Sequence, residues 1–196
     1  MASARPTQRS RDTHQRALVV ATQLMQQRGF HGFTFHDVAA ALGVSHVAVH
    51  HHYRTKADLV AAALQAYTDQ FVAELAAIEQ RVDAPKQRLE AYIALFEASS
   101  AGGEQLCLCG VLAAEMATLP PSVQPGVRTF YEANEAWLAR QLAALTGARA
   151  TTARVKTLAR GLLDLLEGAL VSARAFTDPA RVGAVARGWL ALLNAG

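Results

Sequence analysis

Apolar residues recur along most of the chain at intervals of three and four positions, which is the period of an amphipathic α-helix. A sustained alternation of apolar and polar residues is absent, and Ala, Leu, Glu, Gln and Arg dominate. The pattern therefore predicts an all-α chain of about nine helices. Two short helices lie between residues 34 and 52, and the others are expected at 12–28, 56–82, 85–98, 106–118, 122–145, 152–176 and 180–193.

The two short helices are marked by their capping residues. Thr34 can cap the first, because its hydroxyl group can accept a hydrogen bond from the backbone N–H of Asp37. Gly43 ends that helix, since a left-handed backbone conformation costs glycine little. Ser45 caps a second helix that runs through His52. Two short helices joined by a tight turn are typical of a helix-turn-helix unit.

The second short helix has one inward position, Val49. Its outward-facing residues are then His46, Val47, His50 and His51. Such a face suits the major groove of DNA, although an ordinary helical hairpin without a function explains the same spacing. His46 and His50 also stand four residues apart, a spacing that can hold zinc. No acidic or sulfur-bearing residue nearby in the sequence completes such a site, so we expect no metal.

Composition narrows the class of protein. The chain of 196 residues is 52% apolar, which is ample for a buried core and excludes a wholly disordered chain. The best apolar run, at 106–114, is about half of the roughly 18 residues that a membrane-spanning helix needs, and we find no secretory signal. The two cysteines are separated by one residue and make no disulfide framework. We therefore expect a soluble, cytoplasmic protein.

Positive charge is concentrated in the first third of the chain. Residues 1–60 carry seven Lys and Arg side chains and three carboxylates, whereas residues 61–196 carry twelve and thirteen. All seven histidines also lie within the first 52 residues. A basic module followed by a near-neutral body favours binding of a polyanion by the N-terminal third.

Catalytic groups do not converge anywhere in the sequence pattern. Beyond the first 52 residues there is no histidine, and neither a phosphate-binding loop nor a nucleophile elbow occurs. We therefore expect no enzymatic activity and no cofactor. A helical protein-interaction scaffold without DNA binding is the alternative to a DNA-binding regulator.

The helix-turn-helix segment belongs to a longer signature that covers residues 14–64 without a gap. Its residues are Gly29, Phe30, Thr34, Asp37, Val38, Ala39, Leu42, Gly43, Val44, Ser45, His51, His52, Tyr53, Lys56 and Leu59. This segment resembles the N-terminal domain of the tetracycline-repressor (TetR) family. The resemblance implies a flexible leader at 1–11, a DNA-binding domain at 12–55, a connecting helix at 56–82, and a ligand-binding and dimerisation domain at 83–196. It also implies a repressor that a small-molecule inducer releases from DNA.

The same resemblance implies contacts to DNA residue by residue. The positions that face the major groove are Ser45, His46, Val47 and His50. The positions that contact phosphate are Thr34, Tyr53 and Lys56. His50 stands where the family usually has tyrosine, so this contact departs from the family pattern. Because imidazole titrates near neutral pH, we expect DNA binding to vary with pH.

The middle helices are implied to enclose the inducer. The candidate lining residues are Tyr92, Phe96, Cys107, Met116, Phe130, Tyr131, Trp137 and Phe176. Plain core packing is the alternative, since aromatic residues at helical spacing are more often core. The last two helices, at 152–176 and 180–193, are implied to form a four-helix bundle with their copies in a homodimer. A two-fold dimer predicts a palindromic operator.

The motif Cys107-Leu108-Cys109-Gly110, followed by Glu115, resembles a subgroup of the family in which a cysteine at the Cys107 position senses reactive electrophiles. A thiol near the N-terminus of a helix is favoured as the thiolate, which is the reactive form. Positions i and i+2 on a helix point about 200° apart, so we expect no disulfide between Cys107 and Cys109. Two buried cysteines that act as small apolar residues are the alternative.

Overall fold

A computed structural model describes residues 8–101 and 106–194. Within these ranges the backbone forms nine α-helices and no β-strand, which confirms the all-α prediction. In chain order they are α1 (Gln8–Arg28), α2 (Phe35–Leu42), α3 (His46–His52), α4 (Lys56–Arg81), α5 (Pro85–Ala101), α6 (Leu108–Ala114), α7 (Gln124–Thr146), α8 (Ala153–Phe176) and α9 (Ala180–Asn194). None of the helices in these ranges is both long enough and apolar enough to cross a membrane.

The first three helices pack around a small core of their own. From α1, the side chains of Ala17, Ala21 and Met25 are almost completely buried, and α1 packs against both α2 and α3. Val38 of α2 and Val49 of α3 complete this core. Because burial of Val49 sets the rotation of α3, the opposite face of that helix is turned to solvent.

Helix α4, with 26 residues, joins this unit to the rest of the chain. At 1.5 Å per residue it is roughly 39 Å long. It packs against α1 of the first unit and against α5 and α7 of the second. Its start is held by a capping box, in which the N–H of Asp58 donates to Thr55 Oγ1 at 3.1 Å and the N–H of Thr55 donates to the Asp58 carboxylate at 2.9 Å. Because α4 packs against both units, a displacement of this helix moves the contacts of both.

Helices α5, α7, α8 and α9 form the larger body. Helix α8 packs against α7 and α9, and α5 packs against all three, while the short α6 contacts α1 and α7. Leu163 and Leu166 of α8 are completely buried. The core also encloses polar groups that satisfy one another. The Tyr92 hydroxyl donates to Asn134 Oδ1 at 2.7 Å, and Asn134 Nδ2 donates to the Phe130 carbonyl at 2.8 Å.

Two boundaries differ most from the prediction. Helix α1 begins at Gln8, so the predicted leader at 1–11 is helical from that residue, and residues 1–7 lie outside the described residues. Helix α6 ends at Ala114 instead of continuing to Thr118. The chain tightens there because the N–H groups of Glu115 and Met116 bond to carbonyls three residues back. The apolar period of this segment continues, but the backbone leaves the helix.

Candidate nucleic-acid interface and ligand cavity

Helix α2 is held at both ends by local hydrogen bonds. At its start, the N–H of Asp37 donates to Thr34 Oγ1 at 3.3 Å, and the N–H of Thr34 donates to the Asp37 carboxylate at 2.7 Å. The hydrogen bonds from Thr34 lower the pKa of Asp37 below its ordinary value. At its end, Gly43 has φ +66°, and its N–H donates back into the last turn. The predicted Thr34 cap and the left-handed Gly43 are both confirmed.

Helix α3 presents an exposed surface on a fixed base. Ser45 begins the helix by accepting a hydrogen bond from the N–H of Ala48 at 3.2 Å, and Val49 is buried as predicted. Ser45, His46, Val47 and His50 are all exposed, and we name these four residues the exposed face of α3. Val47 is 74% exposed although it is apolar. Packing inside the molecule therefore does not account for this valine.

The two histidines of the exposed face pack against each other and against α2. The ring centroids of His46 and His50 are 4.4 Å apart, and the edge of one ring meets the face of the other. The His50 ring also lies 4.4 Å from the ring of Phe35. These contacts give His50 a defined position. In the part of the chain that the structure describes, no group of three or more His, Cys, Asp or Glu side chains is arranged to hold a metal ion.

Tyr53 and Lys56 have partners inside the domain. The Tyr53 ring is only 5% exposed and stacks on His14 at 5.1 Å, and burial raises the pKa of Tyr53 to about 12. The Lys56 ammonium donates to the Phe33 carbonyl and lies 4.3 Å from the centroid of the Phe33 ring. Burial also lowers the pKa of Lys56 below its ordinary value. Both side chains hold the domain together in this conformation, and their contact with phosphate stays a prediction.

The end of α1 is bound to the segment around α6 by side-chain hydrogen bonds. The N–H of Phe30 donates to Glu115 Oε2 at 2.6 Å, and Gln26 Nε2 donates to the Leu106 carbonyl at 3.0 Å. The Glu115 carboxylate lies so close to Gly29 that a Cβ atom there would collide with it. Glu115 therefore links the first unit directly to α6, independently of α4.

A cavity of about 580 Å³ opens at this same junction. It lies between the end of α1, helix α6, Tyr131 of α7 and the stretch Glu167–Val171 of α8. Most of its lining is apolar, and Cys107 and Glu167 supply polar atoms. Cys107 also lines a second cavity of about 220 Å³, and Tyr67, Phe71 and Phe96 contribute to its wall. Cys107 thus borders both cavities.

Cys107 is the N-cap residue of α6, and its side chain is buried. Its pKa is lowered to about 6, first by a hydrogen bond from the Cys109 thiol, and further by bonds from Glu167 and from the N–H of Gly110, against the opposing effect of burial. Burial raises the pKa of Cys109 above its ordinary value. The Tyr67 hydroxyl also points at Cys107 Sγ, 3.8 Å away. Cys107 thus lies at the helix N-terminus, the position that favours a thiolate, and it is the more acidic of the two thiols.

Glu167 was missing from the sequence prediction. Its pKa is raised, mainly by burial and then by the neighbouring Cys107. Its Oε1 atom is shielded from solvent and has no hydrogen-bond partner. A Cβ atom at Gly110 would collide with Glu167 Oε2, so the glycine makes room for this carboxyl group. The available signal was a carboxylate between Leu163 and Leu170, on the apolar side of an amphipathic helix.

The aromatic residues predicted to line a ligand site divide between cavity and core. Tyr131 borders the larger cavity and Phe96 the smaller one. Three other predicted residues belong to the core instead, namely Tyr92, Phe130 and Trp137, and all three are buried. The predicted Met116 is partly buried and packs against the same core. Phe176 lines neither of these two cavities, because it is 67% exposed at the end of α8 with the Arg181 guanidinium 4.2 Å above its ring.

Comparisons with known proteins agree with this geometry. Residues 17–63 match the family model described as bacterial regulatory proteins, tetR family. A TetR-family transcriptional regulator from Agrobacterium tumefaciens is 29% identical, with a TM-score of 0.86 over 92% of this chain and 97% of that chain. A TetR transcriptional regulator from Legionella pneumophila is 26% identical, with a TM-score of 0.83 over 95% and 97%.

More distant similarity is confined to the fold. The reduced form of E. coli NemR is 20% identical, with a TM-score of 0.79 over 91% of this chain and 96% of that one. A comparison with curated proteins found no match.

Proposed function

Because this chain belongs to the TetR family of DNA-binding transcriptional regulators, we propose that it represses transcription from a palindromic operator. It leaves the operator when a small molecule occupies its cavity or when a reactive compound modifies Cys107. The exposed face of α3 is the observation that carries the DNA-binding part of this proposal. It combines a solvated apolar residue with polar side chains on a helix that is capped and fixed by its buried side.

The contacts to DNA follow from exposure. Ser45, His46 and His50 offer hydrogen-bonding groups to base edges or phosphates, and Val47 offers methyl groups to the methyl group of thymine. Thr34 is exposed at the start of α2, and its hydroxyl group can contact phosphate. For Tyr53 and Lys56 we place the structural role first, since a phosphate contact requires them to leave their present partners.

The proposed partner of the chain is a second copy of itself. Helices α8 and α9 carry large apolar side chains that are exposed in the single chain, namely Val171, Phe176, Val185 and Leu192. Gly161 and Gly188 leave open space on the same two helices, which permits a close approach by another helix. To bind DNA, a two-fold dimer through this interface has to hold two copies of α3 about 34–36 Å apart, which is one turn of DNA.

We divide the chain into three parts, which are a DNA-binding domain that ends at residue 55, a connecting helix at 56–82, and a ligand-binding and dimerisation domain at 83–196. Because the protein has to reach its DNA operator, we place it in the cytoplasm.

Release starts at Cys107 and the cavity beside it. An adduct on the Cys107 sulfur adds volume at the N-terminus of α6, where the side chain is buried, and we expect α6 to shift in response. Glu115 moves with the end of α6, and its hydrogen bond to the N–H of Phe30 pulls on the end of α1. Since α1 packs against α2, α3 and α4, the orientation of α3 changes. The two copies of α3 in the dimer then lose the spacing that the operator requires.

Selection of bound duplexes from random DNA tests the DNA-binding proposal. We expect a palindrome to be enriched and its affinity to fall steeply as salt rises, because phosphate contacts release counterions. An absence of any enriched sequence, or an affinity indifferent to salt, favours the protein-interaction scaffold instead.

For the sensor, Cys107→Ser should abolish release by N-ethylmaleimide while Cys109→Ser retains it. Release from Cys107→Ser as complete as from the wild type counts against Cys107.

A further inference from the structure

The larger cavity contains a buried carboxyl group with an unused oxygen. Glu167 projects from α8 into the space bordered by α1, α6 and α7, and its Oε1 atom has no hydrogen-bond partner. Buried carboxyl oxygens without a partner are rare in folded proteins, because leaving a polar atom unpaired costs free energy. In the described ranges no Lys or Arg side chain forms an ion pair with this residue. A ligand is therefore the natural source of its missing donor.

The charged groups around the cavity favour a cation over an anion. Glu167, Glu115 and the Cys107 thiol are the acidic groups that border it. Burial raises the pKa of Glu167, and a positively charged partner would favour its ionised form. Among the lining residues that the structure describes, the one basic side chain is that of Arg28, whose guanidinium lies 3.9 Å from the Asp37 carboxylate. Tyr131 adds an aromatic ring, to which a cation is also attracted.

The remaining lining specifies the other end of the ligand. Leu106, Val111, Leu170 and Val171 form apolar walls, and the volume of about 580 Å³ accommodates a drug-sized organic molecule. We propose that this cavity binds an organic amine with an apolar body, and that its ammonium group pairs with the Glu167 carboxyl group. This inference names the ligand class of the proposed regulator and rests on that proposed function only for its consequence on DNA.

The ligand class is tested on the full-length chain without DNA. The probes are three molecules of one shape, namely 4-phenylbutylamine, 4-phenylbutanol and 4-phenylbutyrate, and calorimetry measures their affinity. We expect the amine to bind about tenfold more tightly than the alcohol, because a buried charge-assisted hydrogen bond is strong. We expect the carboxylate to bind most weakly. Equal affinity for all three probes, or preference for the carboxylate, overturns the proposal.

Two variants locate the pairing group. Glu167→Gln should remove the preference for the amine over the alcohol, whereas Glu90→Gln, which changes an exposed carboxylate of α5 outside the cavity lining, should retain it. The reverse result overturns the assignment to Glu167. Val111→Trp fills the cavity and should abolish binding of the amine, and unchanged binding by this variant also overturns the proposal. The comparison of the three probes uses wild-type protein, so it holds even where a variant fails to fold.

The same amine is then added to the complex with selected operator DNA, and fluorescence anisotropy follows release. Binding of the amine to the free protein together with release of DNA supports both proposals. Binding without release leaves the ligand class in place and contradicts the coupling through Glu115. Failure to bind any DNA contradicts the proposed function and leaves the calorimetric result standing.

Discussion

Val47 is an apolar residue on a short helix with most of its side chain in solvent. Val19 of α1 provides a matched comparison in the same domain, because it is 58% exposed and lies outside the proposed interface. We expect Val47→Ala to weaken operator binding by about tenfold, since a methyl contact in the major groove is lost. Val19→Ala should bind as the wild type does. Fluorescence anisotropy at fixed salt measures both, and an equal effect of the two substitutions contradicts the role of α3.

A titrating histidine at the end of α3 links the stability of the DNA-binding domain to pH. Burial lowers the pKa of His52 below its ordinary value of 6.5, and the imidazoles of His14 and His51 lower it further. The unfolded chain therefore binds a proton at His52 more readily than the folded chain does. By linkage, the stability that neutral His52 confers is complete above pH 6.5 and is lost as the pH falls below this value.

Urea denaturation at about pH 7.5 and about pH 5.5 checks this dependence. The free energy of unfolding of the wild type should be smaller at the lower pH, and His52→Gln should show a smaller difference between the two values. His36→Gln, at an exposed position on α2, is the control and should keep the dependence of the wild type. If His52→Gln keeps it in full, other groups are responsible.

At the scale of elements, the turn between α2 and α3 sets how the two helices cross. Gly43 has φ +66° and Gly147, at the end of α7, has φ +69°, and neither has another atom within 4 Å of where a Cβ would lie. Alanine at either position should therefore cost only the left-handed backbone, about 1–2 kcal/mol of the free energy of unfolding. Gly43→Ala should also weaken operator binding, whereas Gly147→Ala should not. Denaturation and anisotropy separate these effects, and weaker DNA binding by both variants points to a general loss of folding.

For the whole molecule, the central expectation is a dimer through α8 and α9. Leu192 of α9 is 76% exposed in the single chain, and Val72 of α4 is an exposed apolar residue outside this surface. We expect Leu192→Glu to sediment as a monomer and to bind the palindrome weakly, because a buried charge opposes the interface. Val72→Glu should remain a dimer. A wild-type chain that sediments as a monomer at micromolar concentration, with and without operator, contradicts the proposed assembly.

The local features of the molecule were predictable from the sequence. Helical periodicity located the elements, and Thr34, Gly43 and Ser45 gave the ends of α2 and the start of α3. The rotation of α3 followed as well, because Val49 is its one apolar residue that suits burial beneath the turn. These features depend on hydrogen bonds and side-chain spacing within a few residues, so the sequence alone determined them.

The contacts between distant residues were decided only by the tertiary structure. Glu167 meets Cys107 across 60 positions of sequence, and Glu115 binds the N–H of Phe30 across 85. Lys56 turned inward to the Phe33 carbonyl although its position suggested phosphate. Such contacts depend on how α1, α6 and α8 pack. The helical period of the sequence predicts each helix and its apolar side, but it does not predict which residues of distant helices come into contact. The sequence by itself therefore determined α2, the turn and α3, and the packing of the helices decided which groups border the cavity that we propose controls DNA binding.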